Sequence, residues 1–126
     1  MTIRLGGVTI NCADPRALAA FWTEALGFTV AADYDGEFLV LAPEGQDSFT
    51  EQDGRRPYVG LQRVAESKAG KARVHMDFTT DDRAAEVARL VALGATAADE
   101  QDMPGVAWTV LRDPEGNEFC VGSTNG

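Results

Sequence analysis

Histidine is nearly missing from this sequence. His75 is the only one in 126 residues, so any imidazole chemistry rests on that side chain. Cysteine is almost as scarce, with Cys12 and Cys120 alone and no CxxC spacing. Two cysteines are a thin framework for a disulfide-stapled secreted domain, and two buried free thiols are expected. Positive charge is short as well: 11 Lys and Arg stand against 20 Asp and Glu, for a formal net charge of −9. A surface of that sign repels phosphate backbones and anionic lipid, which argues against nucleic-acid and membrane partners. No apolar run approaches the roughly 18 residues of a membrane span. The opening stretch MTIRLGGVTINC has neither the apolar core nor the cleavage pattern of a signal peptide, so a cytoplasmic location is expected. There is no P-loop, no GxGxxG, no GxSxG and no nucleophile–base pair at a recognisable spacing.

What is present is ordinary globular composition, 44% hydrophobic and 25% charged. The length suits one domain, which buries roughly two thirds of its unfolded surface without needing staples. Within it lies a repeat. Sliding the chain by 67 residues lays DPRALAAFWTEALGFTVA (14–31) over DDRAAEVARLVALGATAA (81–98), with eight of eighteen positions identical. Alanine inflates such a match, and the shared capping residues carry more weight. Asp14 is a good N-cap with Pro15 behind it, Leu18, Phe21, Trp22, Ala25 and Leu26 form one apolar face, and Gly27 stops the helix. In the second copy Asp81 is expected to cap, Ala84, Val87, Ala88 and Val91 to form the stripe, and Gly94 to terminate.

An alternating strand precedes each helix, and shorter strands follow it. These are FTVAAD, EFLVLAP and YVGLQRV in the first half, and ATAADE, VAWTVLRD and NEFCVG in the second. DYDGE (33–37) and RDPEGNE (112–118) mark hairpins. Each half therefore reads as βαβββ, over about 1–64 and 73–123 of a single domain. A polar loop over 43–57 interrupts the first half, and such long loops tend to be lids or disordered. The mixed-charge linker AESKAGKAR (65–73) joins the halves.

Two tandem βαβββ units, helices ending in ALGF and ALGA, and DPEGNEF near the end resemble the vicinal-oxygen-chelate superfamily of glyoxalases, bleomycin-resistance proteins and extradiol dioxygenases. The nearest resemblance is to its short glyoxalase-like bacterial members. The strings ADPRALAAFWTEALGF, LQRVAESKAGKARVHMDF and WTVLRDPEGNEFCVG carry it. It implies an α+β fold in which the units form a cupped mixed sheet around a cavity with helices outside, and a homodimer. Catalytic members hold one divalent metal through His or Glu on the first and last strand of each unit. Those positions fall here at or beside Gly7, near Gln62 or Gly60, on His75, and on Cys120 where Glu is usual. One of the four matches. Zinc takes four ligands, or three and water, so no metal cofactor is expected. If one binds, His75 and Cys120 hold it, completed by Asp77, Glu118 or Gln62.

Alternation assigns the faces. Val8, Ile10, Cys12, Val74, Met76, Phe78, Phe119 and Val121 are expected under the helices, leaving Thr9, Asn11, His75, Asp77, Thr79, Glu118 and Cys120 on the cavity face. Trp22 falls on the helix stripe, as core or dimer packing. Trp108 sits in a strand apolar on both faces and is a candidate to stack on a flat ligand. The candidate ligand wall is Asn11, Phe38, Tyr58, Gln62, His75, Asp77, Trp108 and Cys120, with Val40 beside Phe38. His75 and Asp77 are the candidate catalytic pair, as a base oriented by a carboxylate.

Three functions follow, in order. The first is a binding protein for a small apolar or aromatic ligand, with the net charge favouring a cation. The second is an enzyme: a lyase, isomerase or dioxygenase with a non-standard metal set, or a metal-free proton-transfer catalyst using His75 and Asp77. The third is an interaction domain with a vestigial cup.

Overall fold

The computed structural model describes residues 3–46 and 56–123. The chain divides into two compact units, Met1–Ser67 and Lys68–Gly126. The 43–57 loop lies largely outside the described residues.

The first unit opens with β1 (Gly7–Cys12) and α1 (Pro15–Leu26). Asp14 caps the helix by accepting from the Ala17 amide, and Gly27 closes it at φ 68°, where a side chain would be strained. Leu18, Phe21 and Trp22 are buried, Trp22 at 1% exposure. The helical spacing of these side chains thus packs a core stripe, and each contributes roughly 1.5–3 kcal/mol by leaving water. Three strands follow: β2 (Phe28–Tyr34), β3 (Phe38–Pro43) and β4 (Tyr58–Arg63). The sheet order is β1-β4-β3-β2, with β1 and β4 parallel and the other pairs antiparallel. The β2–β3 turn places Asp35 at φ 56° and Gly36 at φ 73°, the type I′ geometry that an Asp-Gly hairpin favours.

The second unit repeats the plan with β5 (Met76–Thr79), α2 (Arg83–Leu93), β6 (Thr96–Met103), β7 (Val106–Arg112) and β8 (Glu118–Ser123). Its sheet order is β5-β8-β7-β6, with β5 and β8 parallel. Both units are thus βαβββ, a mixed four-stranded sheet with a helix, as expected.

Three local expectations are corrected in the second unit. Asp82, not Asp81, caps α2: its side chain accepts from the Ala85 amide, while Thr80 Oγ1 accepts from the Asp82 amide. The helix starts are therefore 68 residues apart and the terminating glycines 67 apart, because α2 is one residue shorter than α1. The buried side of α2 is centred on Leu90, the counterpart of Trp22 at that spacing, and Val91 is 44% exposed. Val74 precedes β5 in a bend and is exposed rather than packed under the helix.

Along β7 the alternation holds. Ala107, Thr109 and Leu111 of β7 are buried together with Phe119 and Val121 of β8, and Trp108, Val110 and Arg112 alternate with them. The turn between β7 and β8 is structural. Asp113, 3% exposed, accepts from the amides of Glu115 and Asn117 and from the Asn117 side chain.

Candidate functional site

The eight wall residues inferred from the sequence fall into two groups, one on each unit. On the first sheet, Asn11 of β1 and Phe38 of β3 both lie opposite Gln62 of β4. Tyr58 lies opposite Gly7. This face is closely filled. A Cβ on Gly7 would sit 2.5 Å from three atoms of the Tyr58 ring, and one on Gly60 would sit 2.6 Å from Thr9 Oγ1 and 2.8 Å from Phe38 Cζ. Both glycines admit their neighbours only by having no side chain.

On the second sheet the face opposite the buried one is open. Val110, Cys120 and Asp77 form one row across β7, β8 and β5, and Arg112 and Glu118 form the next. His75 stands one residue before β5. A cleft of about 680 Å³ opens over this face, lined by His75, Trp108, Val110 and Cys120, by Lys71 from the preceding segment and by Arg112 at one edge. The register resolves Trp108, whose strand is apolar on both faces: it shares the face of Cys120 and stands in the cleft. Asp77 lies beside it, Oδ1 3.4 Å from His75 Nε2, with both side chains substantially exposed.

The cleft has a wall that sequence patterns did not single out. Segment 68–72 is laid against Glu118: Lys68 Nζ lies 2.9 Å from Glu118 Oε1, and the Ala72 amide donates to Oε2 at 3.3 Å. The Lys68 ammonium also donates to the Gly70 carbonyl. This is the linker read as AESKAGKAR, one acid followed by three bases, with no periodicity to mark it. The Lys68 ammonium holds the Glu118 carboxyl below the usual carboxylate range, against the opposing effect of burial, and the Ala72 amide adds to the lowering. Cys120 is 5% exposed. Burial pushes its thiol pKa up, Asp77 pushes the same way, and Lys71 opposes both. A thiol so placed stays protonated near neutrality and is a poor nucleophile.

Helix starts 68 residues apart place Gly7 where the second unit has His75, and Thr9 where it has Asp77. Thr9 opposes Gly60, and Asp77 opposes Cys120. The first-unit counterparts of His75 and Cys120 are therefore Gly7 and Gly60, with Gln62 two residues further along β4. Among the described residues, His75, Asp77 and Cys120 form a group whose donor atoms lie within 4.8 Å of one another. Tetrahedral zinc with bonds of about 2.0–2.3 Å holds its donors roughly 3.5 Å apart. The exposed His75 and Asp77 need to move by about an ångström relative to the fixed thiol, so three donors of mixed N, O and S character fit such an ion.

Phe21 and Trp22 are both buried within the chain, so the sequence's main candidate for an apolar dimer patch is already covered. No helix among the described residues is long and apolar enough to cross a membrane.

Residues 7–122 match the sequence model of a family described as a glyoxalase-like domain. No curated protein matches the sequence at a significant level. Among solved structures, the chain is similar to a glyoxalase/bleomycin resistance protein/dioxygenase family enzyme from Burkholderia phytofirmans, at 22% identity and TM-score 0.72 over 97% of this chain and 99% of that one. It is similar to a variant of the fosfomycin resistance protein FosX from Listeria monocytogenes, solved with Mn(II) and 1S,2S-dihydroxypropylphosphonic acid, at 14% identity and TM-score 0.74 over 96% and 90% of the two chains. It is similar also to a lactoylglutathione lyase from Agrobacterium tumefaciens, at 20% identity and TM-score 0.63 over 93% and 91%.

Proposed function

From the premise that the chain belongs to the glyoxalase-like family of the vicinal-oxygen-chelate superfamily, we propose that it is a small-molecule-binding protein whose ligand lies in the cleft of the second unit, without the four-ligand metal of the superfamily's catalytic members. One observation carries the reading. The first-unit counterparts of His75 and Cys120 are glycines whose side-chain space is taken by Tyr58, Thr9 and Phe38, while the second unit keeps an open cleft. At those two positions the first unit offers no donor side chain to a chelate. The cleft offers what a binding site needs: an indole, an aliphatic floor at Val110 and a few polar groups around them.

A second reading rests on the His75, Asp77 and Cys120 group. These three side chains would hold a zinc ion from one unit alone. The ion would supply Lewis acidity toward a carbonyl oxygen, and His75 and Asp77 would then be ligands rather than an acid–base pair.

Both are tested on protein purified without chelator, incubated with zinc, nickel, manganese or iron, desalted and assayed for metal. Binding of 2-naphthylmethanol, a neutral aromatic probe, is followed in parallel by tryptophan fluorescence with and without a chelator. The first reading predicts substoichiometric metal and chelator-insensitive binding. Stoichiometric zinc that disappears in Cys120→Ser and in His75→Ala establishes the second and overturns the first.

A further inference from the structure

The chain as a whole is acidic at −9, yet its cleft is not. Six charged side chains decide its local sign: Lys68, Lys71, Arg112, Asp99 and Glu118 line it, and Asp77 stands beside Cys120 in the same row. Glu118 is neutralised by Lys68 at 2.9 Å, with the pair only 11% and 26% exposed. Asp99 is held only by neutral groups, the Glu100 amide and Gln101 Nε2, which leave its charge in the balance. Lys71 and Arg112 are the cations without a partner: among the described residues neither side chain has a hydrogen bond or an ion pair. Lys71 lines the cleft together with Cys120. Arg112 extends the face that carries Val110 and Trp108.

We infer that the cleft selects small organic anions: a carboxylate or phosphoryl head between Lys71 and Arg112, with a flat apolar body against Trp108 and Val110. This rests on the proposed use of the cleft as the ligand site. It replaces the cation that the net charge suggested, because within a contact the local charge acts unscreened, while the field of the whole chain is damped beyond about 8–10 Å at ordinary salt. A guanidinium offers a planar fork to a carboxylate or phosphoryl group, and an ammonium adds a point charge. Desolvation of the two free cations also costs less when an anion replaces their water.

Three isosteric probes test this: 2-naphthoate, 2-naphthylmethanol and 2-naphthylmethylammonium, titrated against tryptophan fluorescence at low salt. Two exposed ion pairs predict naphthoate binding about fivefold tighter than the neutral alcohol, and the ammonium weaker than either. In Lys71→Gln/Arg112→Gln the naphthoate advantage over the alcohol disappears. Both side chains are exposed, so an unchanged thermal midpoint is expected for that variant. Equal affinities for the three probes, tighter binding of the ammonium, or a naphthoate preference that survives the double substitution overturns the inference and leaves the cleft a ligand site. Absence of binding by all three probes overturns both.

Discussion

At the scale of single residues, glycines and cysteines say more about this chain than its one histidine does. Gly7 and Gly60 read in sequence as missing ligands; the structure adds that the missing side chains could not return without displacing Tyr58, Thr9 or Phe38. Gly7→Ala is expected to destabilise the chain by about 1–3 kcal/mol in urea denaturation, the usual scale for overpacking. Combined with Tyr58→Ala it should cost less than the sum of the two single changes, because the clash is gone. Cys120 makes a second prediction. Its thiol pKa is raised by burial first and by Asp77 second. A raised folded-state pKa contributes stability that is present below the ordinary thiol value and is lost as pH rises through the folded one. Alkaline unfolding should therefore set in at higher pH in Cys120→Ala, and alkylation of Cys120 in the native chain should be slower than that of a free thiol across neutral pH. Rapid alkylation at pH 7 contradicts this. The parity of His75, Asp77 and Cys120 was legible from alternation alone. That Trp108 shares their face was not, because VAWTVL is apolar at every position but Thr109 and only strand pairing breaks the tie.

At the scale of elements, caps and turns were the legible part. Asp14, Pro15, Gly27 and the Asp-Gly hairpin all stand where their chemistry puts them. The second helix was legible in type but not in phase. Two aspartates in a row, Asp81 and Asp82, offer equal caps in sequence; the backbone chooses Asp82, which alone accepts from Ala85. Asp82→Ala should cost about 1 kcal/mol of stability by thermal or urea unfolding, and Asp81→Ala clearly less. Equal losses would contradict the assignment. The 68–72 segment is the element that the sequence concealed, because a mixed-charge linker has no periodicity to read. Its anchor on Glu118 predicts a pH dependence. A lowered folded-state pKa contributes stability that is present above the ordinary glutamate value and is lost as pH falls through the folded one. The protection of amides in this segment, taken relative to their intrinsic exchange rates at each pH, should fall on acidification, and Glu118→Gln should remove that dependence.

At the scale of the whole molecule, the repeat and the fold family were legible because two copies of one capped unit leave few alternatives. The difference between the two copies was not. Both sheets display candidate residues in sequence, and only the close filling over Gly7 and Gly60, set against the cleft beside Cys120, separates a packed face from an open one. Net charge sums a surface and says nothing of one concavity, so the ligand sign it favours and the sign inferred for the cleft differ. The two tryptophans make the central claim directly measurable, because Trp22 is buried in the first unit and Trp108 lines the cleft in the second. In a ¹H–¹⁵N correlation spectrum each gives one indole resonance, assigned by Trp22→Phe. On titration with 2-naphthoate the Trp108 resonance should shift and saturate, followed by the amides around Cys120, while the Trp22 resonance and the amides around Tyr58 stay in place. Shifts confined to the first unit, or no shift at either indole, would contradict the assignment of the cleft as the ligand site.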